Sequence, residues 1–236
     1  MNIEKLEHSL LERLKRIHAM SLLSQVILKN ISECYTSESP TKETLKKVAS
    51  LLPEQFTNNA RLNNIPEAKV LCFVDSQNFI TLISEVDAFL YDTLVYILML
   101  HPKKMGEQKV SLEKIIGSTS TSTILRSSVD NYIHHIMYKS PKDYRKKFLK
   151  ILSADDDFLT TDWKIYIEAK ARRDVGVHND WIANSIYRDK VNTRGNVPNE
   201  GSLTITSEYL LPTQASLTKL MQDILHHCKL TFKKNV

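Results

Sequence analysis

From about Lys69 to Leu100 the chain is apolar on nearly every face, with Asp75, Glu85, Asp87 and Asp92 as the few charges inside. A helix that is hydrophobic all round has no face to offer to water, so other elements must wrap it. The segment therefore predicts a central helix, and the rest of the fold must supply its cover. Its most apolar part, Phe89 to Leu100, contains Asp92 and is much shorter than the roughly 20 apolar residues that span a bilayer, so it reads as a core helix. With only 5 Gly and 7 Pro in 236 residues, the chain is poor in the turn residues that an all-β sandwich or barrel needs. The expected fold class is all-α.

Other helices are expected around that centre. Ile3, Leu6, Leu10, Leu14 and Ile17 recur at three and four residues, which predicts one long helix from Met1 to about Tyr35. Ser39-Pro40 reads as a helix start, and the helix it opens carries Leu45, Val48, Leu51 and Leu52 as far as Pro53. The polar stretch Thr57 to Pro66 reads as a linker. Further along, Ser111 is a possible helix start and the Ser/Thr run from Ser118 to Thr123 reads as a loop. A helix is expected from Ile124 to Met137, and a second Ser-Pro start at Ser140-Pro141. The cluster Asp155-Asp156-Asp157 is expected to cap a helix carrying Trp163, Tyr166 and Ile167. Asn192 to Gly201 reads as loop, Leu203 to Thr206 as one short strand, and Leu217 to Leu230 as a closing amphipathic helix.

Composition narrows the setting. Hydrophobic residues at 42% and charged residues at 25% are ordinary globular values, and the net charge is +5. Cys34, Cys72 and Cys228 lie far apart, which argues against a disulfide framework and for a reducing compartment. The apolar stretch Ile17 to Leu28 is broken by His18, Ser21, Ser24 and Gln25 and has no small-residue cleavage site after it. A cytoplasmic protein with no membrane association is expected. His134-His135 and His226-His227 have no acid or cysteine placed to complete a metal site.

The most informative segment is Ala171-Arg172-Arg173-Asp174-Val175-Gly176-Val177-His178-Asn179-Asp180. An Arg followed by a polar residue, with a His four residues further on, resembles the signature of the HEPN family. The flanks are similar too: Glu85-Val86-Asp87-Ala88-Phe89-Leu90 on a buried helix, Met137-Tyr138-Lys139-Ser140-Pro141 at a turn, and Trp181 to Tyr187 after the His. The resemblance runs from about Val70 to Leu230. It implies a HEPN-like helical bundle over 63–236, with residues 1–62 as an N-terminal helical extension. Asp180 stands where one HEPN subgroup has a modifiable Tyr, so that regulation does not carry over. Trp181 stands where many relatives have a small residue, which is expected to narrow the site.

Enzymes of that family are metal-independent endoribonucleases of toxin or antiviral-defence type, and the residues suit the reaction. RNA brings its own nucleophile, the 2′-hydroxyl, so no cofactor is called for. An imidazole such as His178 can take up and return a proton near neutral pH. The planar fork of Arg173 suits phosphate oxygens, and Asp174, one helical turn before His178, can hold the imidazole. Asn179 either reaches into the site or caps the helix. Asp87, a carboxylate on an apolar helix, needs a partner, for which Arg173 or Arg172 is the candidate. At about 100° per residue, Arg173 and His178 point roughly 140° apart on a straight helix. Either the helix distorts near Gly176 or two subunits share the site, and HEPN proteins typically dimerise with their motifs facing each other. Homodimerisation, RNA binding and an antitoxin or defence-system partner are what the resemblance implies.

One feature is read from spacing alone. Lys142, Lys146 and Lys150 recur every four residues, opposite Tyr144, Phe148, Ile151 and Leu152. With Lys139, Arg145 and Lys147 they form a basic stripe that either tracks a phosphate backbone or keeps a helix face solvated. The rival to the ribonuclease is a non-catalytic module for protein assembly or RNA binding.

Overall fold

The computed structural model describes residues 2–36, 67–117, 120–191 and 201–232. The expected Ser39-Pro40 helix, the Thr57–Pro66 linker, the 62/63 boundary and most of the Asn192–Gly201 loop lie outside them. Within the described residues the fold is all-α. In chain order the helices are α1 (Ile3–Thr36), α2 (Glu67–Leu100), a 3-10 turn (Pro102–Met105), α3 (Leu112–Ile116), α4 (Thr121–Met137), α5 (Pro141–Leu152), α6 (Thr160–His178), α7 (Ser185–Val191) and α8 (Ser207–Thr231). No helix among them is long and apolar enough to cross a membrane.

Helix α2 is the spine. Phe79, Ile83, Val86, Phe89, Leu90, Leu94 and Ile97 are fully buried along it, each worth about 1.5–3 kcal/mol of burial. Helices α1, α4, α6 and α8 cover its faces with Leu6 and Leu10, Val129 and Ile133, Trp163 and Tyr166, and Leu217, Met221 and Ile224. Four acids inside α2 mark where its neighbours dock. Asp75 accepts from the Ser207 hydroxyl of α8 at 2.9 Å. Glu85 binds Arg13 and Arg16 of α1, and Asp92 binds Arg13 and Ser9 of the same helix. Asp87 faces α6.

Local signals explain several helix ends. Ser140 accepts from the Asp143 amide at 3.2 Å and donates to its carboxylate at 2.7 Å, with Pro141 at the first helical position. Ser120 caps α4 by accepting from the Thr123 amide, so the helix opens at Thr121, inside the Ser/Thr run expected as loop.

Three other expectations are corrected. Asp155 to Asp157 do not cap α6. Its N-cap is Leu159, in a left-handed conformation at φ 59°, and the turn before it is held by Arg145. That guanidinium donates to the carbonyls of Asp156 and Phe158 and to the Thr160 hydroxyl, so Arg145 is a loop clamp rather than part of an open basic face. Leu203 to Thr206 does not form a strand. Leu203 and Ile205 are buried in alternation, yet among the described residues the segment makes a single bridge, between Ile182 and Ser202. Helix α8 begins at Ser207, ten residues before Leu217, and carries Pro212 inside it at the cost of one backbone hydrogen bond.

A candidate active site on helix α6

Helix α6 presents Tyr166, Lys170 and Arg173 on one face, at positions i, i+4 and i+7, and all three reach Asp87. The Tyr166 hydroxyl donates to Asp87 Oδ1 at 2.6 Å. Lys170 Nζ and Arg173 Nη2 reach Oδ2 at 2.5 and 3.0 Å. The carboxylate on the apolar spine thus has its countercharge, and of the two candidate partners it is Arg173. Arg172 instead binds Glu168 at 2.8 Å and lies over the Tyr209 ring, 4.0 Å from its centroid. Glu168 also accepts from the hydroxyls of Tyr187 and Tyr209, tying α7 and α8 to α6. Burial first, and then Tyr144 and Asp87 beside the one and Glu168 beside the other, push the Tyr166 and Tyr187 phenols well above their usual range. Both are neutral donors, not bases.

Arg173, Asp174 and His178 line one cavity of about 660 Å³ between α6, α7 and the α4–α5 turn. Lys139, Lys170, Arg173 and Lys190 face Asp87 and Asp174 around its wall, an excess of cations. His178, the last residue of α6, is exposed, and no side-chain hydrogen bond or ion pair engages it among the described residues. Asp174 does not hold it. Its carboxylate lies 3.2 Å from Arg173 Nε and 3.3 Å from Lys190 Nζ, so the expected Asp174–His178 pair is replaced by one with a lysine of α7. Asn179 lines the cavity but serves as the C-cap of α6, its side-chain amide donating to the Ile182 carbonyl at 2.6 Å. Beneath the site, the Tyr144 hydroxyl is buried close to Tyr166 and Asp87, and burial pushes its phenol well above the usual range.

Helix α6 runs without a break through Gly176 to His178. The glycine makes room instead of making a kink. A Cβ there would fall 2.5 Å from the Trp181 ring. Asp180 and Trp181 both have positive φ, 48° and 60°, and this double left-handed step folds the indole back over Gly176 towards Phe79, whose ring centroid is 6.2 Å away. Trp181 therefore packs on the core and does not line the cavity, contrary to the expectation that it narrows the site.

Lys142, Lys146 and Lys150 are exposed on α5, while Tyr144, Phe148, Ile151 and Leu152 face the core. None of the three lysines lines the cavity, although Lys139, at the start of the same stretch, does. Sequence reasoning missed Tyr166, Lys170 and Lys190. For the first two, the seven-residue face ending at Arg173 was the available signal. Lys190 comes from another helix and left none. Among the described residues no group of three or more His, Cys, Asp or Glu is placed to hold a metal ion.

No family model matches the chain, and no curated protein or solved structure matches it either.

Proposed function

We propose that the chain is a HEPN-like, metal-independent endoribonuclease of toxin or antiviral-defence type. The observation that carries this reading is the shared cavity: Arg173, fixed on Asp87, and the unengaged His178 stand on one cation-rich wall. In the reaction, the 2′-oxygen of a ribose attacks the adjacent phosphorus while its proton passes to the His178 imidazole. The P–O5′ bond breaks, the leaving oxygen takes the proton back from the His178 imidazolium, and the products carry a 2′,3′-cyclic phosphate and a 5′-hydroxyl. Arg173 stabilises the charge gathering on the phosphoryl oxygens, with Lys139 and Lys190 drawing the backbone in.

The geometry of one chain favours a site completed by a second copy. Helix α6 stays straight between Arg173 and His178, and the surface beside them exposes Val177, Ile182 and Ile186, each at least half accessible. A homodimer facing itself across this surface would bury that apolar patch and bring two motifs together. A protein partner of antitoxin or defence type would use the same surface. A second reading has its own support: Asp174 is committed to Arg173 and Lys190 rather than to His178, as suits a module that binds RNA or protein without cutting.

Incubation of the protein with single-stranded and structured RNA, with and without chelator, tests the proposal beside His178→Ala and Arg173→Ala. Cleavage that survives chelator, leaves 2′,3′-cyclic ends and is lost in both variants is the expected result. A folded protein that cuts no RNA across a broad panel would leave the binding module in its place.

A further inference from the structure

Tyr138 is 86% exposed at the mouth of the same cavity. A single exposed aromatic ring is ordinary on a protein surface, but this one is held in place. Its amide donates to the His134 carbonyl at 3.3 Å and the next amide, of Lys139, to that of Ile136 at 3.2 Å. Pro141 and the Ser140 cap fix the chain just beyond. The His134 ring lies nearly parallel to it, tilted by 12° with centroids 6.3 Å apart, and also lines the cavity. A flat group laid on one ring meets the other at almost the same inclination. Lys139 stands beside them, and Arg173 and His178 line the same space.

A planar, apolar face next to a cationic pocket matches a nucleotide, whose base stacks while its phosphate pairs with cations. We infer that Tyr138, backed by His134, is a stacking platform for one unpaired base of an RNA whose phosphate enters the cavity beside Arg173 and His178. This rests on the RNA reading above and deepens it. A base within a duplex has both faces covered by its neighbours, so the platform selects RNA that is single-stranded at the bound position. It is tolerant of base identity, because every base has a π face.

The test is fluorescence anisotropy in a His178→Ala background, where the RNA stays whole. The probes are a short labelled oligoribonucleotide, the same strand in a duplex, and the same strand with one abasic position. Tyr138→Ala should weaken single-strand binding about tenfold and leave duplex binding unchanged. Tyr138→Phe should keep it, and the abasic strand should bind the parent more weakly than the intact one. Sedimentation should give the same oligomeric state for all variants. Equal single-strand affinity of parent and Tyr138→Ala would overturn the platform alone. Loss of the oligomer together with RNA affinity in Tyr138→Ala would overturn it too and assign the ring to a second copy of the chain. A parent that binds none of the RNAs would remove the RNA reading and the platform with it.

Discussion

Arg173 and Asp87 stand 86 residues apart in the chain and 3.0 Å apart in space, joining the motif helix to the spine of the fold. Lys170 and Tyr166 share the same carboxylate. Asp87→Ala would leave Lys170 without its carboxylate, Arg173 with Asp174 alone, and a buried phenol without its acceptor. Unfolding in urea should show a loss of about 3 kcal/mol, as for other buried charge networks that lose one partner. Asp87→Asn keeps an acceptor for Tyr166 and should cost less. Equal stability of wild type and Asp87→Ala would mean that the network does not anchor α6.

The basic stripe on α5 makes a separate claim. Lys142, Lys146 and Lys150 are exposed and outside the cavity, so replacing all three by Ala should move stability by no more than about 0.5 kcal/mol per site. If the stripe tracks a single-stranded backbone, the slope of log affinity against log salt should fall by about 2. Filter binding over a salt series gives that slope directly. An unchanged slope would identify the stripe as a solvated face.

What the sequence made legible depended on how local the cause was. The spine was expected over Lys69–Leu100 and spans Glu67–Leu100, because an all-apolar surface needs no partner to be recognised. Ser140-Pro141 read correctly as a helix start because cap and proline act within one turn. The start of α6 did not, since Arg145 fixes it from another helix and the adjacent aspartates are not used as caps. At the site, the need of Asp87 for a cation was visible from burial alone. The fate of Asp174 was not: spacing put it near His178, but Lys190 arrives from α7 and takes the carboxylate. The strand expected at Leu203–Thr206 had the right alternation, but its pairing with the Trp181–Ala183 segment stops at a single bridge among the described residues.

Acid should loosen the docking of α1 on the spine. The Arg16 guanidinium, with Arg13 beside it, holds the Glu85 carboxyl below its ordinary value of 4.5 against the opposing effect of burial. A carboxyl depressed by folding contributes stability that is fully present above that ordinary value. The contribution is lost as pH falls through the lower folded one. Urea midpoints followed by circular dichroism should therefore drop between neutral pH and pH about 3 more steeply for the wild type than for Glu85→Gln. Parallel curves would show that the Arg13–Arg16–Glu85 cluster adds nothing to the acid response.

Gly176 separates two explanations of a glycine inside the motif helix. If it served as a hinge aiming His178, then alanine, the better helix former by about 1 kcal/mol, would leave stability the same or higher and impair only the site. The structure makes it a seat for Trp181, whose ring atoms lie 2.5 Å from where a Cβ would stand. The clash is with the body of an indole packed on the core, so the ring must shift as a unit to make room. Gly176→Ala should lower stability by about 1–3 kcal/mol, as overpacking does, and should disturb the Asp180–Trp181 turn that follows His178. Trp181→Ala should lower stability on its own by opening a cavity beside Phe79. In the double variant, Gly176→Ala should cost nothing further and should show its gain of helix propensity. Thermal unfolding of the four proteins closes that cycle. Additive losses would show that the cost does not run through Trp181, and a Gly176→Ala protein as stable as the wild type or more so would return the glycine to the role of hinge.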